Sequence, residues 1–387
     1  MYTPPAPPHD ATVPPPPPGL PDAPANRSRT VTLVIAAAVG GTVGALGSSH
    51  TLPFPERYFL LLLAGVLLAV SLHNVLTRLL GPLTGLAPVY SSIGAGAWLW
   101  AGTVGGRLLV VRPLPIILYS PCMVVADRPG LRRRLWWGAL VQLLLQAAVA
   151  AALVAAGGPA EAVGWGIALL TVLIHVLAPG RVTSPAWRLL RLPFGKEEAK
   201  LGEWRIDDAT LAATRAAGAG RVDLMRAALA AAPPSDSPRR LTLATMLALA
   251  EGRSVEAAHA AVDLYARSTA PTLRAGALSL YAAAISDGVR AGSIPAEQGL
   301  PYFAAAMTGL RAQAPAVLRR TDLPAREAYF QGRLPVAAKL AARAAANAPE
   351  ALSRAGALDT LAAVHAAAGR PAEAARAHAR AAALVRL

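Results

Sequence analysis

Two long apolar runs without charged residues follow each other closely near the middle of the chain. They cover residues 135–156 and 162–178, about the length that a bilayer crossing requires, and a short turn at 157–161 separates them. An arginine triplet at 132–134 precedes the first run, and further arginines follow the second. Because positive charge collects at the cytoplasmic ends of membrane helices, the pattern predicts a helical hairpin whose turn faces outward.

Two more apolar runs stand earlier in the chain, at residues 31–47 and 58–77. Arg27 and Arg29 precede the first of them, and several arginines lie between the second run and the hairpin. By the same charge rule, both flanks of this region are cytoplasmic. The sequence therefore predicts a transmembrane domain over residues 31–180, with four crossings of the cell membrane and both chain termini in the cytoplasm.

The segment between these crossings is harder to assign. Residues 83–104 are apolar but are broken by Pro88 and many glycines. A full crossing, a re-entrant segment and a helix lying at the interface all agree with this composition. Residues 108–119 contain too many prolines for a helix and predict a short β-like or membrane-dipping element.

The N-terminal tail has a composition that does not favour folding. Residues 1–30 hold eleven prolines, five of them in a row at positions 14–18. Such a run favours a solvated polyproline II conformation. The tail is predicted to be disordered in the cytoplasm; a partner that recognises proline is the alternative. No basic segment leads directly into an apolar core and cleavage site, so a signal peptide is not expected.

The C-terminal half is predicted to be a soluble helical domain. Alanine-rich segments separated by glycine and proline extend over residues 206–387, after a cytoplasmic linker at 181–205. Residues 357–381 resemble the tetratricopeptide repeat, in which a glycine turn joins two antiparallel helices; Leu361, Ala374 and Ala381 occupy its small or apolar packing positions. Equivalent turns can be placed at four earlier glycines, so that the set is Gly220, Gly252, Gly292, Gly332 and Gly369.

The turn spacings are 32, 40, 40 and 37 residues, whereas a regular array would repeat every ~34. A generic alanine-rich helical domain is the alternative to tetratricopeptide-like repeats. Both would offer a surface that binds peptides or proteins. The predicted class is all-α: a polytopic helical membrane domain with a short β-like insert, followed by a helical repeat domain.

Four polar residues within the apolar runs are candidates for a functional role. They are His73, His175, Gln142 and Gln146. A histidine inside a membrane segment is a functional candidate by default, although each histidine stands near a cytoplasmic helix end, where water or a backbone carbonyl can satisfy it. The two glutamines are one helical turn apart and are expected to attach the hairpin to a neighbouring helix.

The order of parts over residues 58–190 resembles the site-2 protease family of intramembrane zinc metallopeptidases. An early helix, a proline-broken β-like insert and an arginine-flanked hairpin are followed by residues 176–190, VLAPGRVTSPAWRLL. The resemblance implies a zinc motif HExxH on the early helix and an NxxPxxxxxDG-like motif after the hairpin. Pro179 and the trailing WRLL fit the second motif.

The zinc-binding positions of this resemblance carry other residues. In the register that keeps His73, Asn74 stands at the position of the general base and Thr77 at that of the second histidine; the register at 93–98 keeps no ligand. In the second motif the asparagine, aspartate and glycine positions hold Val176, Pro185 and Ala186. Such a site needs two imidazoles, a carboxylate ligand and a carboxylate base. Neither a catalytic residue nor a metal ligand is predicted, and no cofactor is expected.

Composition limits the remaining function classes. The net charge of +15 comes from arginines at helix ends and along the C-terminal half, without a basic block, so nucleic acid is not an expected partner. A single cysteine, Cys122, excludes an internal disulfide. The sequence favours a non-catalytic, site-2-protease-like membrane anchor whose cytoplasmic repeats bind an unknown protein partner. A transporter or channel component and an active membrane peptidase with a non-standard site are the alternatives.

Overall fold

The computed structural model describes residues 12–17, 55–114, 119–177, 184–194, 201–202, 204–232 and 237–385. The chain divides into two compact units. The membrane unit is made of Pro24–Val104 and Leu109–Asp208, and the helical unit of Met1–Ala23, Gly105–Leu108 and Ala209–Leu387. Most described residues are helical, as predicted, but a five-stranded sheet takes the place of the short β-like insert.

Three helical segments of the described residues are long and apolar enough to cross a membrane. They are Arg57–Thr84, Leu131–Ala156 and Gly158–Val176, of 28, 26 and 19 residues. The first belongs to helix α1 (Pro55–Thr84), the second is helix α2 (Leu131–Ala156), and the third joins helix α3 (Gly158–Val172) to a π-helix (Leu173–Leu177). They match three of the four predicted crossings. The fourth, residues 31–47, lies outside the described residues.

The five strands of the sheet are β1 (Leu86–Ile93), β2 (Trp100–Val104), β3 (Arg107–Val111), β4 (Ser120–Ala126) and β5 (Arg205–Ile206), in the spatial order β2-β3-β1-β4-β5. β1 and β4 are antiparallel, and β5 lies parallel to β4. Residues 83–104 are therefore neither a crossing nor an interfacial helix. Gly94 and Gly96 separate β1 from β2 with φ of 82° and 99°, which a helix does not allow. The β-like element predicted at 108–119 corresponds in part to β3.

Much of the predicted linker, residues 181–205, packs into the membrane unit. It contains helix α4 (Pro185–Leu190). Trp187 is 3 % exposed and Leu192 is 1 % exposed, and both belong to a core cluster with Leu131 and Leu135 at the start of α2. Apolar residues in a segment between domains are thus used for packing, which composition alone does not reveal.

The helical unit is a succession of short helices joined in pairs. They are α5 (Asp208–Gly218), α6 (Val222–Ala231), α7 (Pro238–Ala250), α8 (Ser254–Arg267), α9 (Pro271–Ala291), α10 (Ala296–Gln313), the single turn α11 (Pro315–Leu318), α12 (Leu323–Phe330), α13 (Leu334–Asn347), α14 (Ala351–Ala367) and α15 (Pro371–Ala382). Neighbouring pairs contact each other: α8 packs on α9, and α13 packs on α14. Alanines, leucines and a few aromatic residues fill the core.

The five glycines predicted as turns each lie between the two helices of one pair. Their φ angles are between 70° and 74°. A side chain would be strained in this left-handed region, so glycine is the residue that lets the chain reverse there. They are Gly220, Gly252, Gly292, Gly332 and Gly369.

A buried arginine connects three of the helix pairs. Arg326 on α12 is 7 % exposed, and its guanidinium lies 2.8 Å from Asp287 Oδ1 of α9 and 2.8 Å from Asp322 Oδ2. Arg326 Nη1 also donates to Ser286 Oγ, and Thr360 Oγ1 of α14 donates to Asp322 Oδ2 at 2.7 Å. Burial opposes ionisation of Asp322, but the charges of Arg326 and Arg290 together with the hydrogen bonds from Thr360 and Arg326 outweigh it and lower the pKa of Asp322. Both charges are therefore paired and hydrogen-bonded.

Replacing Arg326 by leucine should destabilise the protein by about 3 kcal/mol, because two carboxylates would remain without their counter-charge. We expect a lower melting temperature by circular dichroism, and a loss that becomes smaller as the pH falls from ~3.9 through the lowered pKa of Asp322, because its carboxylate then binds a proton. Arg343→Leu, on an exposed position of α13, is the matched control. Equal melting temperatures for the two variants would contradict the role given to Arg326.

Candidate functional site

The structure brings the four predicted intramembrane polar residues together. His73 lies on α1, Gln142 and Gln146 on α2, and His175 on the π-helix that continues α3. Gln142 and Gln146 are 2 % and 0 % exposed, and His175 is 0 % exposed. We call these four residues, with Thr171, the polar cluster. It joins all three of the long apolar helices.

Hydrogen bonds fix the orientation of the side chains around His73. Gln142 Nε2 lies 3.0 Å from His73 Nδ1 and 2.8 Å from the His73 carbonyl oxygen, and Gln146 Nε2 lies 3.2 Å from the same Nδ1. Thr171 Oγ1 donates to Gln146 Oε1 at 3.2 Å, so the amide nitrogen of Gln146 is the atom that faces His73. With two amide donors beside it, Nδ1 of His73 is assigned as an acceptor.

His175 has the opposite arrangement. Its Nδ1 lies 3.0 Å from the carbonyl oxygen of Thr171, which can only accept, so Nδ1 carries the proton. Its Nε2 is buried and has no hydrogen-bond partner among the described residues. The ring contacts that of His73 edge to face, with centroids 5.5 Å apart. The π-helix, a form often found at functional sites, positions this imidazole.

A buried cation lies close to this end of the bundle. Helix α4 packs against the π-helix, and its Arg188 is 3 % exposed. Burial lowers the pKa of Arg188 to about 10, so the side chain is still charged at neutral pH. A fixed positive charge beside the π-helix disfavours a further cation near the two imidazoles.

The described carboxylates of the membrane unit are engaged elsewhere. Asp127 lies 3.5 Å from Arg205, and Asp208 lies 2.8 Å from Arg128. Glu161 is in the first turn of α3, fourteen residues before His175, which corresponds to ~20 Å along a helix. Within the described residues no group of three or more His, Cys, Asp or Glu side chains could hold a metal ion. The side chains of the polar cluster are thus two imidazoles, two amides and one hydroxyl.

The residues at the expected zinc-motif positions have structural contacts. Asn74 Nδ2 donates to the Tyr119 carbonyl oxygen at 2.7 Å, and Thr77 Oγ1 accepts from Gln142 Nε2 at 2.7 Å. In the second motif, Val176 is 44 % exposed on the π-helix, while Pro185 and Ala186 begin α4. Asn74 and Thr77 thus connect α1 to the segment before β4 and to α2.

The helical unit contains a groove on one side of its helix pairs. It has a volume of about 750 Å³, and α7, α9, α12 and α14, the first helices of four consecutive pairs, contribute most of its lining. We call it the inner groove. Its wall mixes apolar and charged groups, among them Leu280, Ala283, Asp287, Arg290, Asp359 and His378.

One short part of the N-terminal tail is not solvated as predicted. Residues 12–17 lie against α8 and α9, and Val13 is 6 % exposed within the core cluster of the helical unit. His259 and Tyr281 contact this segment, and sequence reasoning missed both. The only feature of the sequence that pointed to these contacts was the proline run itself, because such a run can bind to a surface that recognises proline.

Gln146→Leu tests whether the polar cluster holds the helices together. It keeps a similar volume but removes the amide that bonds both His73 and Thr171, so we expect a loss of about 0.6 to 1.7 kcal/mol, as found for hydrogen bonds between membrane helices. Thermal unfolding in detergent measures it. Ala147→Leu, on an exposed position of the same helix, is the control and should have little effect. No difference between them would mean that the cluster does not stabilise the bundle.

Comparison of this chain with protein-family models, with curated proteins and with solved structures returns no match. The resemblance to site-2 proteases therefore remains a prediction from the sequence. The features of the structure that bear on function are the polar cluster, the inner groove and the docked tail.

Proposed function

We propose that this chain is a non-catalytic membrane anchor, related in arrangement to the site-2 proteases, whose tetratricopeptide-like helices bind a protein partner in the cytoplasm. The inner groove carries the proposal. Successive helix pairs present the same side to it, and such a surface suits an extended peptide better than a small molecule. The polar cluster then stabilises the anchor and performs no reaction.

The lining of the inner groove supports a peptide as the ligand. Leu280 and Ala283 of α9 provide apolar contact, while Arg290 and Asp359 provide charges of both signs. Arg326, which lies at its wall, is held by two aspartates and makes the wall rigid. A preorganised groove loses less side-chain entropy on binding, which favours affinity.

The order of elements in the membrane unit supports a cytoplasmic helical unit. Helix α1 leads directly into β1, and β4 leads into α2, so the end of α1 and the start of α2 share a side with the sheet. Residues 205–206 pair with β4 and are on that side as well. Among the described helices after residue 184, none is both long and apolar enough to cross a membrane. The arginine triplet marks this side as cytoplasmic.

The positions of residues 12–17 and of the start of α1 bear on the fourth predicted crossing. Residues 12–17 contact the helical unit and so share its side, whereas α1 begins on the opposite side. This agrees with the crossing ahead of α1 that the sequence predicts. The apolar run at 31–47, which is outside the described residues, is the predicted crossing there.

Cysteine labelling tests this orientation. In a Cys122→Ser background, single cysteines at Ala25 and Ala382 should resist an impermeant thiol reagent in intact cells, because both termini are cytoplasmic. A cysteine at Gly158, in the outward turn between α2 and α3, should react. All three should react after the cells are permeabilised. Labelling of Ala25 or Ala382 in intact cells would contradict the proposed topology.

Site-specific photo-crosslinking tests the scaffold function. A photoreactive residue at Ser279 faces the inner groove, and one at Thr272 is exposed at the start of the same helix but outside the groove. We expect a discrete crosslinked protein from Ser279 in native membranes and none from Thr272. The Ser279 product should disappear when Ala283 is replaced by arginine, which fills the groove. Identical patterns at both positions would argue against the groove as the partner site.

A further inference from the structure

A short segment of the chain's own N-terminal tail is bound to the helical unit. The carbonyl oxygen of Thr12 lies 3.0 Å from His259 Nε2 on α8, and the carbonyl oxygen of Pro14 accepts a 2.8 Å hydrogen bond from the Tyr281 hydroxyl on α9. Because a carbonyl can only accept, His259 donates as well. Two neighbouring helices thus each hold one backbone carbonyl of the segment.

The two exposed residues of the segment are three positions apart. Thr12 and Pro15 are exposed, Val13 and Pro17 are buried, and the residues between them are intermediate. A polyproline II helix has three residues per turn, so it presents one row of residues to solvent and the others to the protein. The protein therefore contacts the segment on one side, and Val13 is the buried apolar anchor of the segment.

The chemistry of the surface matches that of a proline run. Pro14 to Pro18 have no backbone N–H, so this part of the chain offers carbonyl acceptors only. His259 and Tyr281 supply donors, and the core cluster that holds Val13 also contains the rings of Tyr265 and Tyr281. Burial raises the pKa of Tyr281, which keeps its hydroxyl protonated as a donor. Aromatic surfaces with donors are a recurring way of binding such segments.

We propose that the surface around His259 and Tyr281 is a binding site for extended, proline-rich chain segments, and that residues 12–17 are its resident ligand. A partner with a proline-rich segment must then displace the tail. The preformed, low-entropy conformation of such segments favours their binding to a rigid surface.

This proline site is separate from the inner groove. On α9, Ser279, Ala283 and Asp287 line the groove. Tyr281 is two residues from both Ser279 and Ala283, and at about 100° per residue it points to the other side of the helix. Evidence for or against a partner in the inner groove therefore does not affect the proposed proline site.

Peptide binding to the purified protein in detergent tests the proposal. The probe is a fluorescent peptide of residues 10–20, and its anisotropy is measured with the full chain and with a variant lacking residues 2–23. The variant should bind the peptide. The full chain should bind it at least about tenfold more weakly, because its own tethered tail competes at a high effective concentration.

Two peptide substitutions with the same chemistry separate specific from non-specific binding. Val13→Asp places a carboxylate at the buried anchor and should weaken binding by more than about 30-fold. Pro15→Asp adds the same charge at an exposed position and should change binding by less than about threefold. Equal weakening by both, or by neither, would overturn the assignment of the anchor.

Substitutions in the protein test the two donors. In the tail-less variant, Tyr281→Phe and His259→Ala should each weaken peptide binding by about two- to twelvefold, the effect of one lost hydrogen bond. His259 is exposed, so its replacement does not depend on refolding of the core. Tyr329→Phe, which removes a hydroxyl from α12, is the matched control and should bind normally. Failure of the tail-less variant to bind the peptide, or unchanged binding by both donor variants, would overturn the proposal.

Discussion

A bilayer provides no water to polar groups on helices that cross it, and this constraint explains the arrangement of the three long apolar helices. Their buried polar side chains meet one another, with Gln142 and Gln146 donating towards His73 and Thr171 completing the network. Glycines permit the close approach that this requires. A Cβ on Gly166 would overlap the backbone carbonyl of Leu62, so α1 and α3 touch nearly backbone to backbone.

The helical unit is stabilised in a different way. Its small alanine side chains leave each helix pair with little apolar area to bury on its own. Stability then depends on contacts between successive pairs and on connections such as the Arg326–Asp322 pair, in which Arg326 bonds Asp287 of α9 and Asp322 accepts from Thr360 of α14. Large side chains are few, and several of them gather in one cluster with Phe303, Tyr265 and Tyr281. The tail docks at this cluster, where an aromatic surface is available.

Sequence reasoning succeeded where the signal is local. Runs of ~20 apolar residues predicted three described helices, and single glycines predicted the turns within the helix pairs, because each depends on neighbouring residues only. It failed where distant segments meet. Strand β5 joins β4 across some eighty residues, and the Pro14 carbonyl meets Tyr281 over 267 residues. Residues 83–104 were ambiguous because a half-buried strand with glycine and proline has the same hydropathy as a broken membrane helix.

The contacts of Asn74 support the proposal that the membrane unit is an anchor. Its Nδ2 donates to the carbonyl oxygen of Tyr119, just before β4. A carboxylate at this position, as a zinc peptidase would need, would face that carbonyl with two acceptors and no proton between them. A zinc ligand at position 77 would also remove the hydrogen bond that Gln142 Nε2 donates to Thr77 Oγ1. At the positions that the resemblance would assign to zinc chemistry, Asn74 and Thr77 connect α1 to the segment before β4 and to α2, so zinc ligands placed there would remove these hydrogen bonds.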